Sequence, residues 1–190
     1  MRRPKVVCLV ALGGLLFGAV SCEDNEEPVA QTDTIVIQLA GIKEGDIHDG
    51  LVEKDKNVAT EVGNPYGAFL QAARVALGRN PGRIAVTSVA ITLGGDSRGV
   101  ISFADLFVGE TNVFLRADVG GTVYIARVTG PTGVGPLDCE VIAGDAALAP
   151  IRDALLSGNF RVGIRGTTNR LPTDDFDARV DVRIGFAAYP

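Results

Sequence analysis

Two stretches late in the chain alternate apolar and polar side chains. In residues 176–188, Phe176, Ala178, Val180, Val182, Ile184, Phe186 and Ala188 fall on one face, and Asp177, Arg179, Asp181, Arg183 and Gly185 on the other. Residues 159–166 repeat the alternation with Phe160, Val162 and Ile164 inward. A period of two marks strands buried on one side and wet on the other. Pairing Val162 with Val180 in an antiparallel hairpin sets Arg165 opposite Asp177 and Arg161 opposite Asp181. That register satisfies both faces at once. Burial drives it, since an exposed ion pair is worth only a few tenths of a kcal/mol.

The rest of the chain reads the same way. Residues 34–40 alternate around Ile35, Ile37 and Leu39 and predict a first strand. Residues 41–63 are polar and irregular, the pattern of a long loop. Asn64-Pro65 opens a helix as N-cap and first helical residue, with Phe69, Ala73, Ala76 and Leu77 at helical spacing and Gly78 at its end. Residues 84–93 form an apolar strand closed by the Gly94-Gly95-Asp96 turn. Ser102 and Asp105 make a capping box before one turn with Phe103, Leu106 and Phe107 on its apolar side. Residues 111–117 and 122–128 predict a hairpin, 129–136 a Gly/Pro-rich loop and 137–142 a short strand. Leu148, Ile151 and Leu155 give a second short helix, stopped by Gly158. About eight mostly antiparallel strands with two short helices predict a mainly-β fold, an antiparallel β-sandwich or a jelly-roll-like domain.

The first 22 residues follow a different rule. Arg2, Arg3 and Lys5 make a basic head, residues 6–20 an apolar run, and Ala19-Val20-Ser21-Cys22 a small-residue end before a cysteine. A helix that spans the bilayer needs roughly 20 apolar residues, and here four acids follow at once, Glu23, Asp24, Glu26 and Glu27. The segment reads as a secretion signal rather than a membrane span. It resembles the signal peptide of bacterial lipoproteins, whose lipobox ends at the cysteine that becomes lipidated. Ala19 and Val20 are variants of that box, and the resemblance covers these 22 residues alone. It implies removal of residues 1–21, a diacylglyceryl thioether with a further acyl group on Cys22, and a protein bound to a membrane of the cell envelope through its lipid. Residues 22–33 then read as the lipidated cysteine and an acidic flexible tether, and 34–190 as one β-sandwich domain. The outer membrane is the expected location. Inner-membrane retention is the alternative, because acids directly follow Cys22.

Charge narrows the partners. The 18 Lys and Arg face 23 Asp and Glu, and loss of the three basic residues of the signal moves the net charge from −5 to −8. That argues against nucleic acid, which is bound through basic surfaces. The acidic tether is expected to push the domain off an anionic bilayer. On that resemblance Cys8 would leave with the signal and Cys22 would carry the lipid, which leaves Cys139 alone, expected as a buried thiol.

Candidate chemistry is thin. The chain contains no G-x-S-x-G, C-x-x-C, H-E-x-x-H or P-loop motif, and its one histidine is His48. Asp46, His48 and Asp49 read either as a metal or general-base site or as a polar surface turn. Asp174 and Asp175, with Asp177 nearby, offer oxygen ligands for Ca²⁺, or form a solvated turn; Asp96 is a further metal candidate. With no Trp and three Tyr, a carbohydrate-binding role draws no support from aromatic stacking. No catalytic residue is assigned. The expectation is a non-catalytic binding or structural module with an envelope protein or glycan as partner. The alternatives are a glycan hydrolase using carboxylates such as Asp46, Asp49, Asp174 and Asp175, or a calcium- or carbohydrate-binding module.

Overall fold

A computed structural model describes residues 27–32 and 34–190. The predicted signal segment, Cys22 and most of the predicted tether lie outside the described residues. Among the described residues eleven strands follow one another: β1 (Ala30–Gln31), β2 (Ile35–Ile42), β3 (Ile47–His48), β4 (Leu51–Asn57), β5 (Arg83–Leu93), β6 (Val108–Ala117), β7 (Gly121–Thr129), β8 (Leu137–Asp138), β9 (Glu140–Val141), β10 (Arg161–Thr167) and β11 (Ala178–Tyr189). They form two sheets. In the first, β1 and β2 share one edge of β11, followed by β5 and β8. In the second, the order is β3-β4-β10-β6-β7-β9. All pairs are antiparallel, and the two sheets make a β-sandwich.

The alternation explains the core. Ile37 and Leu39 of β2, Ile91 of β5, and Val182 and Ile184 of β11 are buried in one cluster with Val113, Leu115, Val162 and Ile164 of the second sheet. Each fully buried aliphatic side chain contributes about 1.5–3 kcal/mol. Opposite Gly185 the register of β5 shifts by one residue. A Cβ on Gly185 would stand 2.5 Å from both the Thr87 and Ser88 hydroxyls, so the bulge needs a glycine there.

Helices close one pole of the sandwich. α1 (Pro65–Leu77) is capped by Asn64, whose side chain accepts from the Gly67 N–H, and ends at left-handed Gly78. It buries Tyr66, Phe69, Leu70 and Ala73, whereas Ala76 lies exposed. The Tyr66 ring sits 4.8 Å from Phe160 and 5.0 Å from Phe186, and its hydroxyl donates to the Leu155 carbonyl. The second predicted helix is a composite: α2 (Asp145–Leu148), a tight turn over Ala149–Ile151, and α3 (Arg152–Ser157), with Leu148, Ile151 and Leu155 buried as expected. The capping box at Ser102–Asp105 forms, with Phe103, Leu106 and Phe107 buried behind it.

Three expectations are corrected. β10 and β11 do not form a hairpin. Val162 lies opposite Lys56 and Leu115, and Val180 opposite Leu39 and Leu93, so the strands belong to different sheets. Burial of the inner face is served equally by either arrangement, and the outer ion pairs are too weak to choose between them. The supposed loop 41–63 also contains two strands. Asp49 (φ 51°) and Gly50 (φ 72°) make the two-residue turn of the β3–β4 hairpin. β4 escaped notice because Lys54 and Lys56, the inward positions after Val52, are charged. β4 is an edge strand over that length, and these ammonium groups reach Asp46 (3.1 Å) and Glu61 (2.8 Å) at the rim. Residues 30–31, predicted as tether, pair with Ala188 and Ala187.

Candidate functional site

Register determines which side chains share the outer face of the second sheet. Glu53, Arg165 and Asn112 stand in one cross-strand row, Asp55, Gly163 and Phe114 in the next, and Asn57, Arg161 and Arg116 in the third. Arg116 occupies the centre of the charges. Its Nη2 donates to Glu53 Oε1 at 2.6 Å and its Nη1 to Asp55 Oδ2 at 2.7 Å. Arg161 holds the other oxygen of Asp55 through Nε at 2.7 Å and Nη2 at 2.5 Å. Arg165 lies 3.5 Å from the second oxygen of Glu53 and donates to the Tyr124 hydroxyl at 3.3 Å. The result is an alternating chain, Arg165–Glu53–Arg116–Asp55–Arg161. The hydrogen bond with Glu53 holds Arg116 still more firmly protonated than usual.

An aromatic ring lies under this chain. Phe114 faces outward yet is fully buried. It fits because its cross-strand neighbour is Gly163: a Cβ there would sit 2.2 Å from the ring. The Arg116 guanidinium covers Phe114 with its carbon 4.7 Å from the ring centroid. A register shift in the β6–β7 pair brings Tyr124 opposite Phe114, with the rings 6.3 Å apart and edge to face. The outer face therefore has a small packed centre of its own that fixes the guanidinium above it.

Beside the charge chain is an open cleft of about 510 Å³. Its walls are the charge chain, Leu51, Lys54 and the turn carrying Asp46, His48 and Asp49. The structure thus brings this predicted turn to a cleft, although its parts serve the fold. Asp46 accepts from the Lys43 N–H and from Lys54, and Asp49 adopts the left-handed turn conformation. His48 is exposed at the mouth.

The other candidates stand elsewhere on the chain. Asp174 accepts from the Leu171 N–H, Asp96 pairs with Arg179 at 3.1 Å, and Asp177 pairs with Lys43 and Arg98 rather than Arg165. Asp175 is exposed. Among the described residues no three His, Cys, Asp or Glu side chains come together as a metal site. Cys139 is buried between β8 and β9, and burial pushes its thiol up to about 11.

Sequence reading overlooked Glu53, Asp55, Phe114 and Tyr124 as parts of one site. A signal was present: Asp49-Gly50 is a strong two-residue hairpin cue, and accepting it would have made 51–57 a strand with Glu53 and Asp55 on one face.

Among the described residues no helix is long and apolar enough to cross a membrane. No protein-family model, curated protein or solved structure matches the chain.

Proposed function

We propose that this chain is a lipid-anchored protein of the bacterial cell envelope whose β-sandwich is a non-catalytic binding module, with the cleft on the second sheet as its site. The observation that carries the binding reading is the chain Arg165–Glu53–Arg116–Asp55–Arg161, held rigid over Phe114 beside an open cleft. Groups fixed before a ligand arrives lose little freedom on binding. A carboxylate hydrolase needs one carboxyl to give a proton and another to act as base or nucleophile. Glu53 and Asp55 share a strand face, but each already accepts from guanidinium groups, an arrangement for holding rather than for proton transfer.

The anchor reading rests on the basic head, apolar run and Cys22. The fold suits it. The Val29 N–H donates to Ala188 O at 2.8 Å, so the chain enters at the helix-capped pole. From Cys22 to Val29 the chain reaches at most about 25 Å. A lipid on Cys22 would hold that pole toward the bilayer and leave the cleft accessible from the side.

Mass spectrometry of the exported chain tests the anchor. A diacylglyceryl adduct on Cys22 is expected, and Cys22→Ser should leave the membrane fraction; a bare amino terminus would sink it. Turnover of an envelope glycan that collapses in Glu53→Gln or Asp55→Asn would replace the binding reading with a catalytic one.

A further inference from the structure

We infer that the cleft binds an uncharged, polyhydroxylated ligand, a neutral saccharide, and the inference rests on the cleft being a binding site. Charge balance is the first argument. The lining holds four acids, Asp46, Asp49, Glu53 and Asp55, against four bases, Lys54, Arg116, Arg161 and Arg165. With His48 neutral the site carries no net charge, although the chain as a whole is acidic. A cleft for a carboxylate or phosphate would hold an excess of bases.

Alternation is the second argument. Each sugar hydroxyl is one donor and a pair of acceptor sites, so it is best met by an acceptor beside a donor. The charge chain offers that pair repeatedly along its length. Capacity remains in it. Among the described residues Arg165 spends only Nη1, on Tyr124 and Glu53, leaving Nε and Nη2 without a partner. Arg161 keeps Nη1 in the same way. An ionised carboxylate has about four lone-pair sites, so both oxygens of Glu53 and Oδ2 of Asp55 retain room to accept, whereas Asp55 Oδ1 already takes two Arg161 donors.

Shape is the third. About 510 Å³ lies within the range of small-ligand sites and suits one or two sugar rings. Leu51, half-buried on the same face, gives the C–H side of a ring an apolar contact. The missing tryptophan is no obstacle, since the planar guanidinium of Arg116, fixed on Phe114, presents a flat surface.

The test uses the folded exported chain on immobilised neutral and acidic oligosaccharides displayed side by side, followed by titration with whichever soluble oligosaccharide is retained. Retention of neutral glycans is expected, with an affinity that changes less than about twofold between low and high salt. Arg165→Gln should weaken it by about tenfold, the loss of one charge-assisted hydrogen bond. Arg183→Gln, on the outer face of the other sheet, should change nothing. Urea unfolding of each variant keeps a folding defect distinct from a binding defect, and Leu51→Asp supplies a second lesion in the cleft. Retention of acidic glycans only, lost in Arg165→Gln and eroded by salt, overturns the neutral ligand but keeps the cleft as a site. Retention that ignores both cleft variants, or no retention, overturns the inference. Shortening of a bound glycan would instead defeat the non-catalytic reading.

Discussion

The outer faces of the two sheets are built by opposite means. On the first sheet small outward residues, Ala40 on β2, Ala85 and Ala90 on β5, and Gly185 on β11, are interspersed with longer ones such as Val36 and Gln38. Its charges form smaller groups, Asp96–Arg179–Asp181 and Arg83–Asp145, with Arg183 exposed. On the second sheet the outward positions are large and charged, and one of them, Phe114, is as buried as the core. A face of small residues stays shallow. A face of long side chains encloses space, provided something holds those chains in place, and here Phe114 and Gly163 do so.

The sharpest way to break this contrast is Phe114→Ala. If the charged face has its own packed centre, the change costs about 3–5 kcal/mol in urea unfolding, as at a core position. A loss below about 1 kcal/mol would make Phe114 an ordinary surface ring. Next comes Gly163→Ala, whose Cβ collides with the Phe114 ring and with Asp55 Cβ at 2.8 Å. Overpacking should cost about 1–3 kcal/mol. Placed on a Phe114→Ala background the same change should cost much less, a non-additivity that a double-mutant cycle measures. Arg116→Ala ranks third, at about 1 kcal/mol, since it removes the partner that Glu53 and Asp55 share and uncovers the Phe114 ring. Arg179→Ala, its counterpart on the first sheet, should cost only about a few tenths. Equal costs would erase the distinction between the faces.

At neutral pH the smallest effect lies where the chain crosses between the sheets, at Cys139. Its thiol titrates near 11 in the fold, above the ordinary value of 9.0. Folding therefore favours the protonated form. The stability this contributes is complete below pH 9 and is lost as pH rises through about 11. Cys139→Ala should flatten that part of the stability–pH curve, and alkylation of the native thiol at pH 8 should be slow.

Elements with apolar residues at a regular period were legible from sequence: β2, β5, β6, β11 and both helical segments. β4 was not, because its inward positions after Val52 are lysines whose heads escape at the sandwich rim. The partner of β10 was not legible either. Arg161 and Arg165 need acids within reach, and both β11 and β4 supply them: Asp181 and Asp177 directly opposite in the expected hairpin, Asp55 diagonally and Glu53 directly in the fold. The structure chose Asp55 and Glu53. Losing β4 hid the site as well, since half of the charge chain stands on it. Phe114 was misleading in a further way. It interrupts the alternation of Val113 and Leu115 with an outward apolar residue, and only the glycine opposite, on a strand distant in sequence, explains why that is stable.

The docking of residues 30–31 on Ala187 and Ala188 brings the first described strand alongside the last. Anything appended beyond residue 190 would thus emerge next to residues 29–31, within the shadow of the bilayer if Cys22 is lipidated. Reporter tags would be better placed in the exposed 132–134 loop at the opposite pole. The same adjacency makes circular permutation practicable: a short linker from residue 190 to residue 30 would close the old ends, and new ones could open in that loop.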